Sequence, residues 1–186
     1  RDQHLMPFAG SINWDAAMME TQKVGYDGVL MFEVVERGEP AAVLARAARA
    51  GIPATVHVAL GTDTIHYDPG CDGAALGATS LRDFRIFAAS LARAEGAVVL
   101  NLGSAVVLPE VFLKAVSVAR NFGHDLAGLV AVNLDKESKY RTFTNVMSRP
   151  ASVGLELTGH HEILLPLLHA AVACKAVSAK GARKAA

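Results

Sequence analysis

Cysteine is nearly absent: Cys71 and Cys174 are the two in 186 residues, too few for a disulfide framework and without the CxxC spacing of a zinc site. That scarcity makes a reducing, cytoplasmic setting the default expectation. Net charge is missing too, because 18 Lys and Arg balance 18 Asp and Glu. No global field therefore draws the chain to nucleic acid or to an acidic membrane. A phosphate-bearing small ligand stays open, since a helix N-terminus binds an anion without net charge. No apolar run approaches the roughly 18 residues of a membrane helix, and no charged-then-apolar signal pattern opens the chain, so a soluble protein is expected. Nor is there an initiator methionine: Arg1-Asp2-Gln3-His4-Leu5 reads as the continuation of something larger.

What is present is a globular composition, 52% hydrophobic and 19% charged, long enough for one domain with a continuous core or one domain plus an appendage. Gly10-Ser11-Ile12-Asn13 reads as a turn and cap before a short helix from Trp14, which Gly25 stops. Val29 to Val34 is almost wholly apolar and suits a strand buried on both faces. Pro40 opens an Ala/Arg-rich helix that runs to Ala50. Alternation then continues, with strands expected at 54–60, 97–102, 129–134 and 153–157, and helices at about 80–94, 108–121 and 161–174. The intervals 61–79 and 135–150 read as loops, and 175–186 as a frayed, flexible tail. Strands alternating with helices of this length predict an α/β fold with a parallel sheet, Rossmann-like in kind.

Several polar residues stand where chemistry would need them. Asp2 and His4, spaced i, i+2, and Glu33, a carboxylate in an apolar strand, are residues a divalent metal such as Mn or Zn could use. Glu33 must be paired, protonated or metal-bound if buried, or else lie wet at the strand's end. Thr55 to Leu60 leads into Gly61-Thr62-Asp63 and on to His66, Asp72 and Gly73, placing amides and carboxylates where ligands of open α/β sheets bind. Asp63 and His66 are the polar site candidates there, while His57, between apolar neighbours, reads as a hydrogen-bonded core histidine. Asn101-Leu102-Gly103-Ser104 before a helix is either an anion cradle or a tight turn that uses glycine for its geometry; neither GxGxxG nor GxxxxGK[ST] occurs. Glu110 and Lys114 read as a surface i, i+4 pair. Gly159-His160-His161-Glu162 is not HExxH. It is either a capped helix start or a ligand-touching loop, with His161 the candidate catalytic side chain. Asn133-Leu134-Asp135 closes another strand toward the same edge.

Two family resemblances attach to these residues. RDQHLMPFAGSINWDAAMMETQKVGYDGVLMFEV, over residues 1–50, resembles the last two strand–helix steps of a sugar phosphate isomerase/epimerase of the xylose isomerase-like TIM-barrel superfamily. The resemblance implies metal ligands at Asp2 and His4, before the Gly-Ser-Ile-Asn-Trp turn, and at Glu33. Such a barrel needs eight strands and about 250 residues, of which this segment carries the last one or two, so isomerase activity from this chain alone is not expected. NLGSAVVLPEVFLKAV and GHHEILLPLLHAAV look similar to the C-terminal half of deoxyhypusine synthase-like proteins, over residues 52–174. That resemblance implies a Rossmann-like parallel sheet and an NAD cofactor contacted by Gly61, Thr62, Asp72, Gly73, Asn101, Gly103 and Ser104. The true synthases use a lysine in a Trp-Gly-Lys motif to carry an aminobutyl group from spermidine. This sequence lacks the motif, and Lys114 is only a displaced candidate.

The expected organisation is thus a barrel-derived helix–strand–helix segment (1–50) fused to a Rossmann-like domain (51–174). A small-molecule ligand and homo-oligomerisation are expected, with no nucleic acid and no membrane. Three function classes follow: a nucleotide-binding domain, a metal-dependent isomerase fragment, and a non-catalytic oligomer subunit.

Overall fold

The computed structural model describes the backbone of residues 30–32 and 40–185 and the side chains of residues 44–175. The helix expected from Trp14 and the proposed metal ligands Asp2, His4 and Glu33 lie outside the described residues.

Four parallel strands form one sheet in the order β1-β2-β3-β4. They are β1 (Leu30–Phe32), β2 (Val98–Leu102), β3 (Val130–Asp135) and β4 (Val153–Thr158). Helices alternate with them: α1 (Pro40–Ala50), α2 (Gly73–Leu91), α3 (Val107–Asn121) and α4 (His161–Ala185). This is the α/β architecture the alternation predicts, a parallel sheet with alternating helices. The strand order runs in sequence without reversing, so the described residues contain no topological switch point. The first segment also joins the same sheet as the rest, because Leu30 pairs with Leu100 and Phe32 with Leu102.

Side-chain alternation along β2 and β3 builds two cores. Val99 and Ala131 face one layer with Phe87 and Leu91 of α2, Phe112, Val116 and Ala119 of α3, and Val146 and Met147. Leu102, Val132 and Leu134 face the other, where Leu164, Leu165 and Leu168 of α4 cover them. The sheet is thus sandwiched, which accounts for the near-continuous hydrophobic runs of its central strands.

The structure corrects four expectations. Residues 54–60 form no strand. Because β1 pairs directly with β2, no place remains between them. The segment lies instead over α2, where Asp83 Oδ2 accepts the Val56 N–H at 2.8 Å and the His57 ring meets Phe87 edge-on at 5.4 Å. The supposed loop 61–79 ends early because α2 begins at Gly73. Asp72 caps it, its Oδ1 accepting the N–H groups of Ala74 (2.8 Å) and Ala75 (3.2 Å), after which the Ala-rich stretch is intrinsically helical. The interval 135–150 is not an open loop: it carries a helical turn (Tyr140–Thr142) and a π-helical turn (Phe143–Ser148) that bury Thr142, Asn145, Val146 and Met147. Finally, α4 continues past Cys174 to Ala185, through Ala, Lys and Arg residues of high helix propensity.

His57 has a consequence for pH. Burial lowers its pKa from the usual 6.5, against a smaller opposing pull from Asp83. The unfolded chain therefore takes up the proton first as the pH falls. The neutral ring's contribution is complete above about 6.5 and is lost as the pH drops through the folded-state pKa. Urea melts at pH 7.5 and pH 5 should show the wild type losing more stability than His57→Gln; equal losses would mean that this ring is not a source of acid sensitivity.

Candidate functional site

A polar row crosses the sheet near its carboxyl edge. Asn101 of β2 is in register with Asn133 of β3, and Asn133 with Glu156 of β4. Strand alternation puts all three on the α3 side, the face of Val99 and Ala131. Asn101 and Asn133 are fully buried. Asn101 Nδ2 donates to Asn133 Oδ1 and to the Ser104 carbonyl, both at 2.8 Å. Asn133 Nδ2 donates to Glu156 Oε1 at 3.3 Å and to Thr142 Oγ1 at 3.4 Å. The two acceptors fix the Asn101 amide orientation, and its Oδ1 is left buried without a hydrogen-bond partner. An orphaned buried acceptor costs about 1–3 kcal/mol.

Beyond this row the edge carries charge. Asp135, at the end of β3, accepts the Lys136 N–H at 2.7 Å and pairs with Lys139 Nζ at 2.8 Å, the carboxylate almost fully buried. Glu110, in the first turn of α3, accepts from Asn145 Nδ2 at 2.7 Å, and Arg141 Nε lies 3.6 Å away. Its expected i, i+4 partner Lys114 stands at 3.4 Å, largely exposed, where water screens the pair.

The residues singled out from sequence separate into two groups. Asn101, Gly103, Ser104 and His161 are brought together at the carboxyl edge. Gly103 turns with φ +74°, and a Cβ there would lie 2.9 Å from His161 Cε1. The Gly103 N–H (3.1 Å) and His161 Nε2 (2.8 Å) both donate to the Leu134 carbonyl. Ser104 is buried, and its Oγ accepts the Leu108 N–H at 3.3 Å, tying down the first turn of α3. His161 therefore fills the space above Gly103, and its donating nitrogen is already engaged.

The second group forms a local turn before α2. Gly61 (φ +87°) and Asp63 donate their N–H groups to His66 Nδ1 at 3.2 and 3.3 Å, so the proton of the neutral ring sits on Nε2, which is buried and unpartnered. Thr62 Oγ1 donates to the Ala59 carbonyl at 2.7 Å. Asp72 and Gly73 start α2, the aspartate spent on its cap. No hydrogen bond or ion pair of the described residues links this group to the first.

Asn133, Thr142 and Glu156 complete the row and are not among the site candidates that the sequence marks, although Asn133 stands out at its strand's end. A signal for it exists in the sequence: VVLNLG and VAVNLD each place Asn-Leu at the close of an apolar strand. Two amides at matching positions in adjacent parallel strands must meet. Thr142 and Glu156 carry no comparable mark, because the helical turn at Tyr140–Thr142 and the register of β4 bring them in.

Chemically, the amide N–H groups of the row are all committed, and what it offers is a carboxylate and one uncommitted acceptor, a set suited to holding hydroxyl or amide N–H groups. Among the described residues no three His, Cys, Asp or Glu side chains cluster to hold a metal ion, and no helix is long and apolar enough to cross a membrane. Comparison of the chain with protein-family models, curated proteins and solved structures yields no match.

Proposed function

We propose that the chain is a nucleotide-binding α/β domain of deoxyhypusine synthase-like type, which holds an NAD-class ligand at the carboxyl edge of β2 and β3. The observation that supports this is Asn101: a fully buried amide whose Oδ1 lacks a partner, next to the Gly103–Ser104 turn into α3. A ribose hydroxyl or the nicotinamide carboxamide supplies the donor this oxygen lacks, and Glu156, exposed at the end of the row, is placed to accept a second hydroxyl. Ligands of parallel α/β sheets favour this edge. The fit is to the donor groups of the ligand. Gly103 and Ser104, engaged by His161 and by Leu108, would contact a phosphate only after His161 swings aside. When bound, NAD supplies a hydride acceptor; the chain's own groups bind and orient it. The isomerase reading rests on Asp2, His4 and Glu33, outside the described residues.

Thermal-shift and calorimetric titration with NAD⁺, alongside ADP-ribose and adenosine, tests the proposal. Ligand at 100 times its Kd adds about 2.7 kcal/mol of stability. The shift should be strong with NAD⁺, weaker in exposed Glu156→Gln, and abolished in Asn101→Ala that still melts cooperatively. A wild-type protein that melts cooperatively and ignores NAD⁺ would sink the nucleotide reading.

A further inference from the structure

Among the described residues, the β4 edge of the sheet lacks the devices that usually keep an edge strand single. Every residue of β4 is exposed. Its sequence, Val-Gly-Leu-Glu-Leu-Thr, contains no proline, no lysine and no inward charge of the kind that blunts such edges. Val153, Leu155 and Leu157 lie in register with Val130, Val132 and Leu134, so all three share the face that α4 covers farther in. They are 49%, 50% and 41% exposed, and on α4 itself Ile163 and Leu167 are 58% and 63% exposed. These are large apolar side chains left open to solvent on the strand and on the helix that follows it. The one charge of the strand, Glu156, points to the opposite face, where Asn133 holds it.

We propose that β4 is a homodimer edge: two copies join β4 to β4 antiparallel about a two-fold axis through Leu155, making one continuous eight-stranded sheet. Symmetry and charge select this register. A two-fold axis perpendicular to the sheet keeps each face on its own side, so the axis must pass through a residue and not between two. Centred on Leu155, Val153 lies opposite Leu157 of the second copy, Leu155 opposite its equivalent, and Gly154 opposite Glu156. Centred on Glu156, two carboxylates would stand face to face, which is destabilising. Centred on Gly154, Leu157 would lie opposite residue 151, outside the strand.

The backbone agrees. Val153 and Gly159 turn their N–H groups to Leu129 and Asp135 of the β3 side, so by alternation the groups of Gly154, Glu156 and Thr158 face outward. Gly154 and Glu156 of the second copy then form a hydrogen-bonded pair. The two Leu155 residues form the closer, non-hydrogen-bonded pair, in which side chains touch. The surface is self-complementary and carries no charge on its apolar face, which selects a second copy over a charged partner.

Sedimentation velocity on the full chain across micromolar concentrations tests this. The wild type should be dimeric. Leu155→Lys, at a half-exposed position that the fold tolerates, should weaken the dimer by roughly 30-fold or more, as expected for the centre of an interface, with an unchanged far-UV spectrum. Because residue 155 meets its own equivalent, mixing Leu155→Lys with Leu155→Glu should restore a heterodimer that neither forms alone. A monomeric wild type, a dimer indifferent to Leu155→Lys, or a mixture that stays monomeric would each overturn the proposal. None of these outcomes depends on NAD.

Discussion

Replacing Gly154 by alanine is expected to cost about 2–3 kcal/mol, lowering the melting temperature by roughly 5–10 °C for a chain of this size. A Cβ on Gly154 would stand 2.6 Å from Met147 Cβ, 2.9 Å from its Cα and 2.8 Å from its carbonyl oxygen. Two of those three atoms are backbone, so no rotamer change of Met147 relieves the overlap. The turn that carries Met147 is itself held, since the Arg149 N–H donates to the Thr144 carbonyl at 3.0 Å and Arg120 donates to the Pro150 carbonyl at 2.9 Å. The strain must therefore push β4 away from the π-helical turn, and that movement pulls Glu156 off Asn133. Gly77→Ala is the control. Nothing lies within 4 Å of its Cβ position, and alanine in an exposed helix is favoured over glycine by about 1 kcal/mol. If the two variants melt alike, β4 does not sit against Met147 as described.

This contact shows where legibility in the sequence ends. The strands VVLNL and VAVNLD are readable because burial on both faces demands continuous apolar runs. The helix over 107–121 is readable from Pro109 in its first turn and Gly123 beyond its end. Residues 54–60 have a strand's composition and are no strand, because strand status is conferred by a vacant neighbour, and β1 has already taken the edge of β2. The π-helical turn was invisible for a different reason. Its Asn145, and Thr142 just before it, look solvated and are buried only because Glu110 and Asn133 await them. At the site, Asn101, Gly103 and His161 could be named from local pattern. What could not be read was that His161 would close over Gly103, a contact between residues 58 positions apart that only the folding of α4 onto the sheet creates.

That contact carries the second large effect. Gly103→Ala should cost about 1–2 kcal/mol for the left-handed backbone at φ +74°, and about 1–3 kcal/mol more for forcing a methyl against the His161 ring. The ring cannot retreat freely, because doing so breaks its 2.8 Å bond to the Leu134 carbonyl. The two contributions separate in a double-mutant cycle. His161→Ala alone should cost about 1 kcal/mol for the lost hydrogen bond, since the Gly103 N–H still reaches the same carbonyl at 3.1 Å. Combined with Gly103→Ala it removes the obstacle, so the double variant should be more stable than the sum of the singles predicts by about 1–2 kcal/mol. Strict additivity would mean that the backbone angle alone demands glycine and that His161 is a bystander. A positive coupling has a functional side as well. If His161 must leave Gly103 before a phosphate can approach the turn, His161→Ala opens that approach and should bind NAD⁺ more tightly than the wild type while being less stable. Only a ring standing between the turn and the ligand couples those two changes with opposite sign.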